Sequence, residues 1–268
     1  MPRFSRLALW SGAGAVMAAG GSSAGAAITA SSVVDYQPGA ATSFTNPSAA
    51  LGLPAGDTTF GALTPFNPPF KDDQIVIVGA GGHLTLELSS PVSAGGAGPE
   101  LGVFANNGII DVSPNGTGTA GTPAATFSPA PRALVSVSAD GQMFAPLAAQ
   151  PFAFANPTNV YTDVTIDNYS APLGSAVADF SMPFTGDLSS FNGLTYPQMV
   201  QLLNGSAGGT WLDVSGVGLG SVRYVRFDVP AGGDDRLVLD AVTAVPEPTA
   251  ALAMLPALVL MRLRRTIR

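Results

Sequence analysis

The chain has no cysteine, and this absence removes several kinds of chemistry at once. Without thiols there can be no disulfide, no thiolate metal site and no cysteine nucleophile, so the fold has to rest on its hydrophobic core. Histidine is almost as scarce, since His83 is the only one in 268 residues. Any Ser-His-Asp mechanism would have to use His83. Because no G-x-S-x-G motif accompanies it, we expect a surface or strand-edge histidine and no catalytic residue.

Positive charge is scarce in the body of the chain. Six of the eleven basic residues lie near the two ends, which leaves five basic against seventeen acidic residues between positions 28 and 244, a net charge of about −12. Proteins bind nucleic acid through lysine and arginine, so this charge disfavours a nucleic-acid partner. An acidic surface suits a soluble exported protein and can attract calcium.

A secretory signal peptide is predicted for residues 1–27. Two arginines precede an apolar stretch of small residues from Leu7 to Ala19, and Ala24-Gly25-Ala26 has the A-x-A form of a cleavage site. The alternative, a buried N-terminal helix, is disfavoured by the many glycines of this segment. We therefore expect export through the secretory machinery.

The last 24 residues combine a Pro-Glu-Pro turn, an apolar stretch and a cluster of arginines. The residues of the turn and the cluster are Pro246, Glu247, Pro248, Arg262, Arg264 and Arg265. Between them, Thr249 to Met261 would reach about 20 Å as a helix, against a hydrocarbon core of about 30 Å. The arginines favour the cytoplasmic side of a membrane, which leaves the body outside. A C-terminal hydrophobic sorting helix is predicted, with an ordinary membrane anchor as the alternative.

Val245-Pro246-Glu247-Pro248, followed by the apolar stretch and the arginines, resembles the PEP-CTERM sorting signal of bacterial envelope proteins. The resemblance covers only Val245 to Arg268, a segment that is also called an ice-binding protein C-terminal domain. It implies a transient membrane anchor, recognition by an exosortase-type sorting enzyme, cleavage near the motif, and delivery to the cell surface or extracellular matrix.

The body, residues 28–244, is predicted to be a single mostly-β domain, because glycine and proline interrupt helices while apolar alternation recurs between them. Strands are predicted at Ile75–Val78, His83–Leu88, Leu101–Phe104, Ala133–Ser138, Val160–Ile166, Val222–Val229 and Leu237–Val242. One short helix is predicted at Tyr196–Leu203, with Pro197 in its first turn and Met199, Leu202 and Leu203 on its apolar side. Ser113 to Pro131 reads as a long surface loop.

Short strands at this spacing favour a β-sandwich or jelly roll over alternating β/α units. Five segments resemble bacterial surface proteins with galactose-binding-like or discoidin-like jelly rolls: Ala49–Gly52, Gly81–Leu86, Gly98–Phe104, Val135–Gly141 and Val222–Phe227. The resemblance implies a β-sandwich with glycan contact and transfers no binding residue.

Ile75 to Gly82 looks like a strand entering a dinucleotide-binding glycine turn. The third glycine position of that motif is Leu84, however, and the following residues alternate as a strand where a helix is required. We therefore predict a glycine-rich hairpin that links two strands, and no nucleotide cofactor.

Two acidic pairs in turn-like segments offer carboxylates to calcium: Asp72, Asp73, Asp234 and Asp235. Because no D-x-D-x-D-G loop is present, solvated turn acids are the favoured reading, and calcium stays open. Trp211, Tyr224 and Phe227 offer aromatic rings to sugars, although Tyr224 and Phe227 should point to opposite faces of one strand. Asp240 lies in an alternating strand, where it could orient neighbouring groups.

Together these features predict an exported, non-enzymatic protein of the cell surface or extracellular matrix with weak contacts to extracellular polysaccharide. One alternative is a secreted carbohydrate-active hydrolase, because glycosidases need only two acids whose separation is set by the fold. The other is a purely structural matrix protein without a specific ligand.

Overall fold

The computed structural model describes residues 27–246. Within them the chain is mostly β. The ten strands, β1 to β10 in chain order, are Ile28–Gln37, Val76–Val78, His83–Ser93, Leu101–Ala105, Arg132–Ser138, Ala145–Pro146, Phe152–Ala153, Thr210–Leu212, Ser221–Asp228 and Leu237–Ala244. One α-helix, α1, covers Tyr196–Leu203.

The strands form a curled antiparallel sheet in the order β6-β5-β9-β3-β1-β10-β4-β8, with β2 beside β10 and β7 beside β5. The first strand joins the two halves of this sheet. Ile28 pairs with Ala244 of β10, whereas the residues from Ala30 to Gln37 pair with β3. Two register shifts interrupt the pairing of β1 with β3, and such irregularities let a strand bend and change partners.

The curled sheet encloses one large hydrophobic core. Leu84 and Leu86 of β3 and Phe227 of β9 have no exposed surface, and they belong to the same cluster as Val103 of β4 and Leu239 of β10. Both halves of the sheet therefore share one core, which also explains why all eight residues of β10 are buried.

The helix α1 has the predicted bounds and packs its buried side against the loops. Tyr196, Met199 and Leu203 form a second cluster with Phe66 and Phe191. Leu202, predicted on the apolar side, is 38% exposed, and Tyr196 takes the buried position in its place. Asn204 follows the helix with a left-handed φ of 48°, a conformation that asparagine tolerates better than most residues.

The predicted strand at Val160–Ile166 is wrong. Its only pairing in the described region is an isolated bridge between Tyr161 and Val177. Two backbone hydrogen bonds hold this bridge, from Thr162 to Ala176 and from Ala178 to Val160. Beyond it the carboxylate of Asp163 accepts hydrogen bonds from the backbone amide and the hydroxyl of Ser175, and the pairing does not continue. The long loop predicted at Ser113–Pro131 contains no strand.

The glycine-rich turn after β2 is not a hairpin. β2 pairs with β10, and β3 pairs with β1 and β9, so the turn connects two strands that do not pair with each other. Glycine is needed because the chain passes close to another segment. A Cβ at Gly79 would lie 2.5 Å from the amide nitrogen of Ala41, and one at Gly82 would lie 2.5 Å from the carbonyl oxygen of Gln37.

The predicted signal peptide up to residue 26 and the tail from Glu247 onward, which includes the sorting helix, lie outside the described residues. Between residues 27 and 246 no helix has the length and apolar character that a membrane span requires.

Candidate functional site

An open groove runs beside β8 and has a volume of about 450 Å³. Its walls include the indole of Trp211, the carboxylates of Asp187 and Asp213, and the polar side chains of Asn156 and Thr210. We call it the Trp211 groove. The fold brings these residues together from three separate parts of the chain: the segment around position 156, the turn at 185–188, and residues 210–213, which comprise β8 and the residue after it.

The position of Trp211 is fixed by its contacts. Trp211 pairs across the sheet with Gly102 of β4, where a Cβ would lie 2.9 Å from the indole Cζ2. The indole Nε1 donates a hydrogen bond to the carbonyl of Gly208 at 2.8 Å, and the ring meets Phe104 edge-on at 6.4 Å. Only glycine at position 102 leaves room for this arrangement. The partly exposed indole thus forms a rigid apolar wall of the groove.

The two carboxylates of the groove are held in their charged form. Asp187 precedes a short 3-10 turn, and hydrogen bonds from the hydroxyl of Ser189 and the backbone of Ser190 lower the pKa of Asp187. The hydroxyl and backbone amide of Ser215 lower the pKa of Asp213 in the same way. Both side chains are therefore ionised acceptors at neutral pH.

Two further polar residues lie behind the remaining walls of the groove. Asn156 is only 7% exposed, and its Nδ2 donates to the carbonyl of Gly186 at 2.9 Å. The hydroxyl oxygen of Thr210 is buried and has no hydrogen-bond partner among the described residues. An aromatic wall with a few fixed polar groups is the arrangement by which proteins orient small polar ligands such as sugars.

No basic residue lines the Trp211 groove. Four of the five basic residues between positions 27 and 246 form ion pairs elsewhere: Lys71 with Asp57, Arg132 with Asp235, Arg223 with Glu87, and Arg226 with Asp228. The fifth, Arg236, lines a different cleft with Asp234 and Asp235. The charge of the groove is therefore purely negative.

Asp240 lies at a second and smaller cleft of about 210 Å³, which Asp57, Lys71 and Asp73 also line. Asp240 is 2% exposed, and both of its carboxylate oxygens accept the backbone amide of Ala55, at 3.0 and 3.2 Å. Burial raises the pKa of Asp240 to about 7. Asp240 holds the loop at Ala55 onto β10 and so fixes the position of that neighbouring segment.

The two acidic pairs considered for calcium lie apart. In the antiparallel ladder of β2 and β10, Val76 is opposite Leu239 and Val78 is opposite Leu237. Asp72 and Asp73, which precede β2, are therefore at one end of this ladder, and Asp234 and Asp235, which precede β10, are at the other. No group of three or more histidine, aspartate and glutamate side chains placed to hold a metal ion occurs between residues 27 and 246.

His83 lies on the outer face of the sheet and is half-buried. Its Nε2 is 2.7 Å from a carboxylate oxygen of Asp35. Of the two predicted positions, surface or strand edge, His83 takes the surface one, because β3 has a neighbouring strand on each side. Of the other aromatic candidates, Phe227 is fully buried in the core, whereas Tyr224 is partly exposed on the outer face beside Glu87. The two rings point to opposite faces, as the strand period requires.

The first two residues of the proposed sorting signal belong to the folded body. The amide of Val245 donates to the carbonyl of Glu100 at 2.9 Å, which continues the ladder between β10 and β4. Pro246 lines a cleft with Glu100. The other residues of that prediction lie outside the described residues: Glu247, Pro248, Arg262, Arg264 and Arg265.

No protein-family model matches this chain, and no curated protein shows significant similarity to it.

Trp211 could be identified from the sequence, whereas the groove around it could not. The one local signal in the sequence is that Ser189 and Ser190 follow Asp187. This pattern is typical of a capping turn and predicts a fixed carboxylate at Asp187. Asn156 and Thr210 carry no such signal, because they reach the groove only through long-range packing.

Proposed function

We propose that this protein is an exported, non-enzymatic component of the cell surface or extracellular matrix, which contacts polysaccharide through the Trp211 groove. The observation that carries the binding role is the combination of a fixed, partly exposed indole with ionised carboxylates and a buried amide in one open groove. Aromatic rings stack on the apolar faces of sugar rings, while carboxylates and amides bind hydroxyl groups.

We further propose that the body is a β-sandwich of the jelly-roll type. The two halves of the curled sheet both bury their inner side chains in one core, and β1 passes from one half to the other. Facing sheet halves around a shared core are typical of sandwiches.

Sorting through the tail is the second part of the proposal. An exosortase-type enzyme and the export machinery are its partners. Ile28 and Ala244 are paired residues of neighbouring strands, so both predicted signals join the body at nearly the same place. Removal of either signal would therefore leave every strand of the described sheet intact, which suits a protein that is processed at both ends.

A binding role fits the groove better than hydrolysis does. A glycosidase needs one carboxyl group whose pKa is raised enough to protonate the leaving group. In the Trp211 groove the pKa of each carboxyl is lowered. A raised pKa is found at Asp240, but that carboxyl is bonded to a backbone amide at a cleft of about 210 Å³, less than half the volume of the groove.

The sorting proposal is tested with an epitope-tagged chain. Its mass and cellular fraction are measured with Pro246, Glu247 and Pro248 intact or all replaced by alanine. We expect loss of the tail and surface delivery only in the intact form. Identical full-length membrane retention of both forms would mean that the tail is a plain anchor.

The binding proposal is tested by closing the groove from its rim. Ala153 is exposed and lines the groove, so Ala153→Trp should obstruct it without entering the core. Ala231→Trp places the same side chain on an exposed turn elsewhere and serves as the control. We expect retention on a glycan array to be lost in Ala153→Trp and kept in Ala231→Trp. If the unaltered body retains no glycan, the binding proposal fails and the alternative of a purely structural matrix protein is favoured.

A further inference from the structure

We infer that the Trp211 groove selects polysaccharides that carry free amino groups and rejects those that carry carboxylate or sulfate groups. This inference rests on the proposed glycan-binding function and specifies the ligand class. It follows from the signs of the charges placed around the indole, because the groove presents two carboxylates and no basic side chain.

The placement of the acids explains why a cationic sugar is favoured. Asp187 and Asp213 are exposed and line the same groove as Trp211, so a sugar ring against the indole has carboxylates within the same binding volume. An ammonium group on that ring gains charge-assisted hydrogen bonds from either carboxylate. A hydroxyl or acetamido group also donates to an ionised carboxylate, but it carries no charge and so lacks the attraction between opposite charges that the ammonium group adds.

The remainder of the molecule strengthens the discrimination. The described body carries five basic residues against seventeen acidic ones, and four of the five basic residues are already paired with acids. An anionic polysaccharide would meet like charge in the groove and over the surrounding surface. Such like-charge contact lowers the rate of encounter and excludes unsuitable partners.

Oligomers of β-1,4-linked glucosamine, their N-acetylated counterparts and oligogalacturonate of equal length make a matched set of probes. Binding to the body is measured by calorimetry at a mildly acidic pH, at which the glucosamine amines are protonated and Asp187 and Asp213 are ionised. The measurement is made at low salt and in about 0.5 M salt, where screening is strong. We expect the glucosamine oligomer to bind roughly tenfold more tightly than the acetylated one at low salt, because two exposed ion pairs together account for a difference of that size. This advantage should shrink in high salt, and oligogalacturonate should not bind.

The variant that isolates the groove charges is D187N/D213N. Asparagine keeps the oxygen that accepts the hydrogen bonds from Ser190 and Ser215, so the local turns should persist. The control, D163N/D179N, removes two charges that also accept a serine backbone amide but do not line the groove. We expect the first variant to bind both oligomers equally and the second to keep the preference for glucosamine.

The outcomes separate the two proposals. If none of the three oligomers binds, the proposed glycan contact itself fails. If the acetylated oligomer or oligogalacturonate binds as tightly as the glucosamine oligomer, glycan binding stands and the charge selection is wrong. Equal loss of preference in both double variants would also overturn the inference, because it would assign the effect to net charge and not to the groove.

Discussion

At the scale of single residues, Asp240 is the group whose protonation should affect stability most. It is almost fully buried, and its one hydrogen-bond donor is the amide of Ala55. The pKa of Asp240 is raised to about 7 in the folded protein, whereas an unfolded chain has an aspartate pKa of about 3.9. Between these two values the native state holds a proton that the unfolded state has lost.

The sign of the pH dependence follows from this difference. The stabilising contribution of Asp240 is fully present below about pH 4 and is lost as pH rises through about 7, at a total cost of about 4 kcal/mol. We predict that wild type loses roughly 3 kcal/mol more unfolding free energy than Asp240→Asn between about pH 4.5 and about pH 8. Urea unfolding of both proteins at the two pH values measures this, and the comparison removes the titration of the other acids. Parallel pH profiles would show that Asp240 is ionised throughout.

At the scale of elements, the pairing of β4 with β8 fixes the aromatic wall of the groove. A methyl group at Gly102 would overlap the Trp211 indole, so Gly102→Ala should destabilise the fold by about 1–3 kcal/mol and tilt the ring. We predict a lower melting temperature together with weaker glycan retention. Gly216→Ala is the control, since no atom lies within 4 Å of its added Cβ. An unchanged melting temperature in Gly102→Ala would mean that the indole moves freely.

How far the sequence predicts each element depends on where its partners lie. The helix α1 could be predicted with its bounds, because Pro197 in the first turn and the apolar spacing are local signals. The first strand was missed because it interleaves Ser31, Ser32 and Asp35 with apolar residues and changes partner part-way along its length. The groove was missed for the same reason: Asn156, Asp187 and Asp213 are far apart in the chain and meet only when the sheet curls.

At the scale of the whole molecule, the last residues of β10 close the structure. Val242 and Ala244 have no exposed surface, the strand pairs with β1 and β4, and Val245 adds one more bond to Glu100. Truncation tolerance follows from the burial and hydrogen bonding of the removed backbone. Residues up to Ala244 should therefore be indispensable for stability, and residues beyond Pro246 should not.

Two truncations of the chain that begins at Ile28 test this boundary. A chain that ends at Pro246 should unfold in one transition with the same midpoint as a chain that ends at Arg268. A chain that ends at Ala241 loses the buried Val242 and five of the residue pairs with β4 and β1, so it should lose more than about 3 kcal/mol. Denaturant unfolding followed by tryptophan fluorescence measures both. Equal stability of the two truncated chains would contradict the closing role of β10, and a strong loss on ending at Pro246 would place part of the tail in the folded body.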